Sequence, residues 1–193
     1  MNKIKLSVLV YATLGLFACS TESSFKVNQE LTSPYITEVQ AQRDNDKDLA
    51  TRLGNILSSQ FPTSKIKVVV NNNDVLLVGQ VKVNADSIQA ETVCKKWPGT
   101  DKVFNYLTLS DKPTLNTSSF MASDAKEKVK AFFDINFETM DFVAVDNVIY
   151  IMGTNVGNLT ALDTAIERMY SIPKVTKIVN LEQRGDNDYN VQK

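Results

Sequence analysis

Apolar residues in this chain switch between helix and strand spacing in an order that is run through twice. Leu49, Leu53, Ile56, Leu57 and Phe61 form one helical stripe behind the capping oxygens of Asp44, Asn45 and Asp46. Ala125, Val129, Phe132 and Phe133 form another behind Ser123 or Asp124, with the same internal offsets as Leu49, Leu53, Ile56 and Leu57. Strand periodicity follows in each case. Ile66, Val68 and Val70 alternate, Asn71-Asn72-Asn73-Asp74 turns, and Val75 to Val78 returns to Gly79. In the second stretch Phe142 to Val145, a turn at Asp146-Asn147, and Val148 to Gly153 repeat the hairpin. The Asp146-Asn147 turn needs only two residues, whereas the Asn-rich loop is expected to be longer.

Behind each glycine a second helical stripe begins: Ile88, Val93, Cys94 and Trp97 in one half, Leu159, Leu162, Ile166 and Met169 in the other. Pro98-Gly99 and Pro173 stop these helices, and Val103 to Leu109 and Val175 to Leu181 are expected as closing strands. The expected class is therefore α+β, two tandem α-β-β-α-β domains, each a small three-stranded mixed sheet with two helices on one face. Domain boundaries fall at 45–110 and 121–184, with a Pro-, Ser- and Thr-containing linker over 111–120 and a tail over 185–193. At about 65 residues either copy alone is marginal, so the two are expected to pack on each other.

Ahead of the repeats, Lys3 and Lys5 precede a mainly apolar run, Leu6 to Phe17, that is shorter than the roughly 20 residues a bilayer-spanning helix needs. The run ends at Leu16-Phe17-Ala18-Cys19, which resembles the bacterial lipobox. That resemblance implies a signal peptide over 1–18, cleavage before Cys19 and acylation of its sulfur, with 19–44 as a polar lipidated leader; Ser20 after the cysteine implies outer-membrane sorting. Two or three acyl chains hold a protein durably where one does not. Losing Lys3 and Lys5 lowers the basic count from 21 to 19 against 22 acidic residues, a formal charge of −3, which argues against nucleic-acid binding. With Cys19 acylated, Cys94 has no disulfide partner and is expected to be buried filler. The chain has no histidine, which removes Ser-His-Asp and Cys-His nucleophile activation and histidine-containing zinc sites. It has no Gly-rich phosphate loop either, so neither an enzyme nor a cofactor is expected.

Asn73-Asp74-Val75-Leu76-Leu77-Val78-Gly79-Gln80, followed by Val103-Phe104-Asn105, resembles the BON domain of bacterial envelope proteins. Asn147-Val148-Ile149-Tyr150-Ile151-Met152-Gly153 and Ile172-Pro173-Lys174-Val175 carry the same resemblance in the second copy. Two copies behind a lipobox resemble the dual-BON outer-membrane lipoproteins and the osmotically induced tandem-BON periplasmic proteins. This resemblance implies envelope maintenance and anionic-phospholipid contact through the first helix of the second domain. Carried onto this chain, the contacts would be Lys126, Lys128 and Lys130, with Phe120 and Met121 just upstream. Asp124, Glu127 and Asp134 share that helix and cancel its charge; Lys126 and Lys130 stand on one side and Lys128 on another.

The bland reading of the lysines is an ordinary solvated helix face, and of Phe120 and Met121 a cover for the domain boundary. The rival functional reading is a membrane-tethered protein-interaction or scaffolding module, using sheet faces or edges, the Asn71–Asp74 loop and Phe120-Met121. Trp97 and Tyr170 are expected to pack rather than recognise. A cell-wall polysaccharide contact draws little support from a single tryptophan within an apolar helix pattern.

Overall fold

In the computed structural model, residues 34–132, 139–154 and 159–183 are described. They form α1 (Pro34–Gln60), β1 (Lys65–Asn71), β2 (Asp74–Val81), α2 (Asn84–Lys95), β3 (Val103–Leu109), α3 (Ser119–Lys130), β4 (Met140–Val145), β5 (Val148–Thr154), α4 (Leu159–Met169) and β6 (Lys177–Gln183). Each half has one three-stranded sheet, ordered β1-β2-β3 or β4-β5-β6, with an antiparallel hairpin and a parallel third strand. The α-β-β-α-β order therefore recurs with the same pairing. The closing strand of the second half starts at Lys177, two residues later than its apolar run, because Val175 accompanies the turn after α4.

Side-chain alternation sorts the strands into two apolar layers each. On one face of the first sheet, Val70, Val75 and Leu77 meet Leu53 and Leu57 of α1, Phe61 just past its end, and Ala90 and Cys94 of α2. On the second sheet, Met140, Ala144, Ile149, Ile151 and Ile178 meet Met121, Ala125 and Val129 of α3 and Leu162, Ala165 and Met169 of α4. The opposite faces pack on each other. Leu76 and Val78 join Val143, Val145, Tyr150, Met152, Val179 and Leu181, with Val69, Phe104 and Tyr106 at the margin. Helices, sheet, sheet and helices thus stack as four layers, and the central strands are buried on both sides, which is why Val75 to Val78 reads as an unbroken apolar run. Tyr106 and Tyr150 meet edge to face across this seam, ring centres 5.3 Å apart.

Polar contacts close the ends of the seam. Asn71 donates to the Asp141 carboxylate at 2.7 Å and to the Thr139 carbonyl, Gln183 donates to Asp74 at 2.7 Å, and Gln80 donates to Asp146 at 3.1 Å. Burial raises the Asp74 carboxyl above its ordinary range, against the lowering pull of the Gln183 amide and the Lys102 charge. The connecting segment is pinned along this seam. Thr114 donates its N–H to Gln80, Asn116 donates to Asp146, and Thr117 bridges to Val145.

Several expectations need correction. Both hairpins turn on two residues with positive φ, Asn72-Asn73 and Asp146-Asn147, since Asn tolerates the left-handed region that a type I′ turn requires; the Asn-rich loop is no longer than its counterpart. The polar leader does not last to residue 44, because α1 already begins at Pro34, a residue suited to a first helical position. Asp46 is consequently no N-cap. It is buried within α1, where its carboxylate accepts from the Asn72 N–H (2.7 Å) and the Asn73 N–H (3.1 Å), holding the first hairpin turn. The cap of α3 is Ser118, whose Oγ accepts from the Met121 N–H, rather than Ser123 or Asp124. That helix ends at Lys130, Phe132 lies half-buried under the Arg168 guanidinium, and Phe133 and Asp134 fall outside the described residues. Ile88 is 58% exposed, because Ser87, Ala90 and Cys94 form the face of α2 that meets the sheet. Ser87 and Glu91 hold the Asn105 amide there. Tyr170 is 55% exposed and does not pack into the core.

Gly79 and Gly153 occupy matching sites with φ of 115° and 117°. A Cβ would run into the backbone carbonyl oxygen of Lys65 at the first and of Thr139 at the second, so close strand approach as well as backbone conformation requires glycine there. Asn105 and Asn180 match as well. Each side-chain oxygen accepts, at 3.1 Å, the backbone N–H two residues on, which faces away from the neighbouring strand.

Asp46→Ala removes the acceptor of two turn amides and is expected to cost about 1–3 kcal/mol, read as a lower urea midpoint with an unchanged slope. Burial raises the hydroxyl pKa of Tyr106 and pushes that of Tyr150 up to about 12. The unfolded chain then loses these protons first, so stability is full below about pH 10 and falls as pH rises toward 12. Thermal unfolding measured across that window should show the decline, and Tyr150→Phe should flatten it.

Candidate functional site

The residues expected to touch lipid lie on and around α3, the helix that opens the second repeat. Its buried stripe is Met121, Ala125 and Val129. At about 100° per residue this places Phe120, Glu127 and Lys130 outward, with Lys126 on one flank and Lys128 on the other. Phe120 is 65% exposed. Met121 is only 4% exposed and belongs to the core, so the pair divides: Phe120 is available to a partner and Met121 is not. The division follows from Ser118 capping the helix, which sets Met121 one turn before Ala125 on the inward stripe.

Each charge on this surface has neighbours. Lys130 pairs with Glu127 at 2.7 Å and Lys128 approaches Asp124 at 4.0 Å. An exposed pair contributes only about 0–1 kcal/mol; the Lys128–Asp124 pair is half-buried. Over Ser119–Lys130 three lysines face two acids, leaving a small positive excess at the helix itself. Cys19 lies outside the described residues.

The surfaces considered for protein interaction fare differently. The inner sheet faces are consumed by the seam between the repeats. The Asn71–Asp74 loop is also engaged, through Asp46, Gln183, Thr139 and Asp141. What stays open on the first repeat is a set of apolar side chains, Val83, Ile88 and Leu109, at 49–62% exposure; periodicity places Ile88 on a buried helix stripe and Leu109 at the end of a closing strand, and does not single out Val83. Val83 and Leu109 flank the ends of regular elements, where strand and helix patterns give no signal about burial. A second surface missed in the sequence is the groove beside Trp97, which packs on the core and stays half-buried.

A cleft of about 340 Å³ runs between α1 and the ends of the sheets, lined by Gln42, Arg43, Asp46, Asn71 and Thr139 among others. Its polar groups hold structure: Asp46 caps the turn and Arg43 reaches Asp141 and the Met140 carbonyl. Cys94 is fully buried and burial pushes its thiol pKa up to about 11, which makes it inert packing as expected. Among the described residues there is no cluster of three potential metal ligands, and no helix long and apolar enough to cross a membrane.

No curated protein matches this chain. Among solved structures, the C-terminal domain of CdsD, a structural protein of the type III secretion system of Chlamydia trachomatis, is similar at 11% identity over 70% of this chain and 96% of that one, with a TM-score of 0.28. A second CdsD structure gives 11% identity over 71% and 92%, with a TM-score of 0.27. These likenesses are too distant to carry an argument. The family comparison is local and definite. Residues 45–111, from within α1 to just past β3, match the BON domain, and the first repeat of this chain is therefore a BON domain.

Proposed function

We propose that this chain is a non-enzymatic outer-membrane lipoprotein, anchored through an acylated Cys19, that supports envelope integrity through weak contact of its second repeat with anionic phospholipid. The observation that carries the reading is Phe120, a large aromatic 65% exposed at the start of α3, with Lys126 and Lys130 further along the same helix. An aromatic ring at headgroup depth beside cations that each contribute about 1 kcal/mol is a workable interfacial contact. The recurrence of the α-β-β-α-β order supports treating the second repeat as BON-like, and the lipobox-like Leu16-Phe17-Ala18-Cys19 supports the tether.

A second reading, a membrane-tethered protein-interaction or scaffolding module, is favoured by Val83, Ile88 and Leu109 on the first repeat. On that reading lipid is only the anchor's concern.

The chain lacking residues 1–19 should sediment with vesicles containing anionic phospholipid and much less with neutral ones. Phe120→Ala should weaken retention. Lys126→Gln and Lys130→Gln should each weaken it roughly fivefold, and Lys128→Gln, on the opposite flank, less. Equal retention on neutral vesicles, or an unchanged triple lysine variant, rejects the lipid site and leaves the interaction module.

A further inference from the structure

We propose that the first repeat carries a shallow glycan-binding groove built on Trp97. The groove, about 300 Å³, lies between α1, the first hairpin turn and the loop from α2 to β3, and is lined by Asn45, Asp48, Arg52, Trp97, Pro98 and Gly99 among others.

The second repeat shows what the fold alone requires at this place. Trp97-Pro98-Gly99 corresponds to Ile172-Pro173-Lys174: Gly99 and Lys174 both have positive φ, and each loop closes on its hairpin turn, through the Asp101 N–H to the Asn73 carbonyl and the Thr176 N–H to the Asn147 carbonyl. Ile172 is 2% exposed and fills the core completely. An aliphatic side chain thus satisfies the packing. Trp97 packs on the corresponding core and still presents part of its indole to the groove, a surplus of ring that the core does not use. Gly99 lines the same groove, with nothing within 4 Å of where a Cβ would stand; its counterpart carries the Lys174 side chain.

The polar wall fits a polyhydroxyl ligand. Asp48 and Arg52 stand one helical turn apart with the carboxylate 2.8 Å from the guanidinium, and both are about 60% exposed. The carboxylate accepts from adjacent hydroxyls, the guanidinium donates to hydroxyl and ring oxygens, and the Asn45 amide does both. An aromatic face receives the C–H surface of a pyranose while such planar groups bond its rim. The opposite charges of Asp48 and Arg52 balance, so this wall selects a neutral glycan over an ionic headgroup. The inference is independent of the lipid contact proposed for α3.

Trp97 is the only tryptophan in the chain, so its emission reports this groove alone. The full chain, in a detergent without a sugar headgroup, is titrated with chitotetraose, cellotetraose and mannotetraose. The expected result is a saturable emission change with at least one of them, with Kd of about 0.1–10 mM, weakened tenfold or more in Asp48→Asn and Arg52→Gln. Calorimetry on Trp97→Ile, the residue type used by the second repeat, should show the binding heat lost with the melting temperature little changed. Flat emission for all three sugars up to about 10 mM, or an unchanged affinity in both surface variants, overturns the proposal.

Discussion

The apolar seam between the two sheets is the contact on which the rest of the molecule depends. Each three-stranded sheet is covered by helices on one face and would otherwise expose Leu76 and Val78, or Val143, Tyr150, Met152 and Leu181, to water on the other. A single repeat has too small a core to tolerate such a face, and burying it against the sister sheet meets both needs at once. The arrangement also fixes the surroundings. The linker is held along the seam's edge, α1 reaches across to β4 through Arg43, and the hairpin turns exchange hydrogen bonds with the opposite repeat.

Much of the element order was legible because helix and strand periods differ sharply, and because duplication displays each pattern twice. What escaped were features set by the third dimension. Asp46 carries the composition of a helix cap, yet α1 continues upstream of it and turns its carboxylate toward the hairpin. Ile88 has the hydrophobicity of a core residue, but small Ser87, Ala90 and Cys94 let α2 approach the sheet with Ile88 outside. Packing of the two repeats on each other was expected from their small size alone; the unbroken apolar runs of β2 and β5 carry the second buried face, which helix-on-one-face reasoning left unassigned. On α3, the spacing already separated Lys128 from Lys126 and Lys130; it could not tell Phe120 from Met121, whose fates depend on where Ser118 starts the helix.

Sharing one topology lets the two repeats differ where the fold is indifferent. The same corner, between the first helix, the hairpin turn and the second loop, carries a half-buried Trp97 and Gly99 in one copy and a buried Ile172 beside Lys174 in the other. The opening helix differs too, long and linked across the seam in the first repeat, short and tipped by Phe120 in the second. The common core of each repeat sets the frame, and these corners and helix ends are where their chemistry diverges.

The pairing of Asn105 with the Leu107 amide and of Asn180 with the Glu182 amide has a bearing on neighbours of the same kind. A strand rim offers its unused donors to any extended polypeptide that drifts alongside, the route to ribbon-like polymers. Asn105 closes one such donor on the half-buried rim of β3, whereas on β6 the matching amide of Glu182 is already buried, so neither strand offers a passing copy a continuous rail of hydrogen bonds at this point. Edge-to-edge extension of the sheet along these two strands is interrupted at that amide.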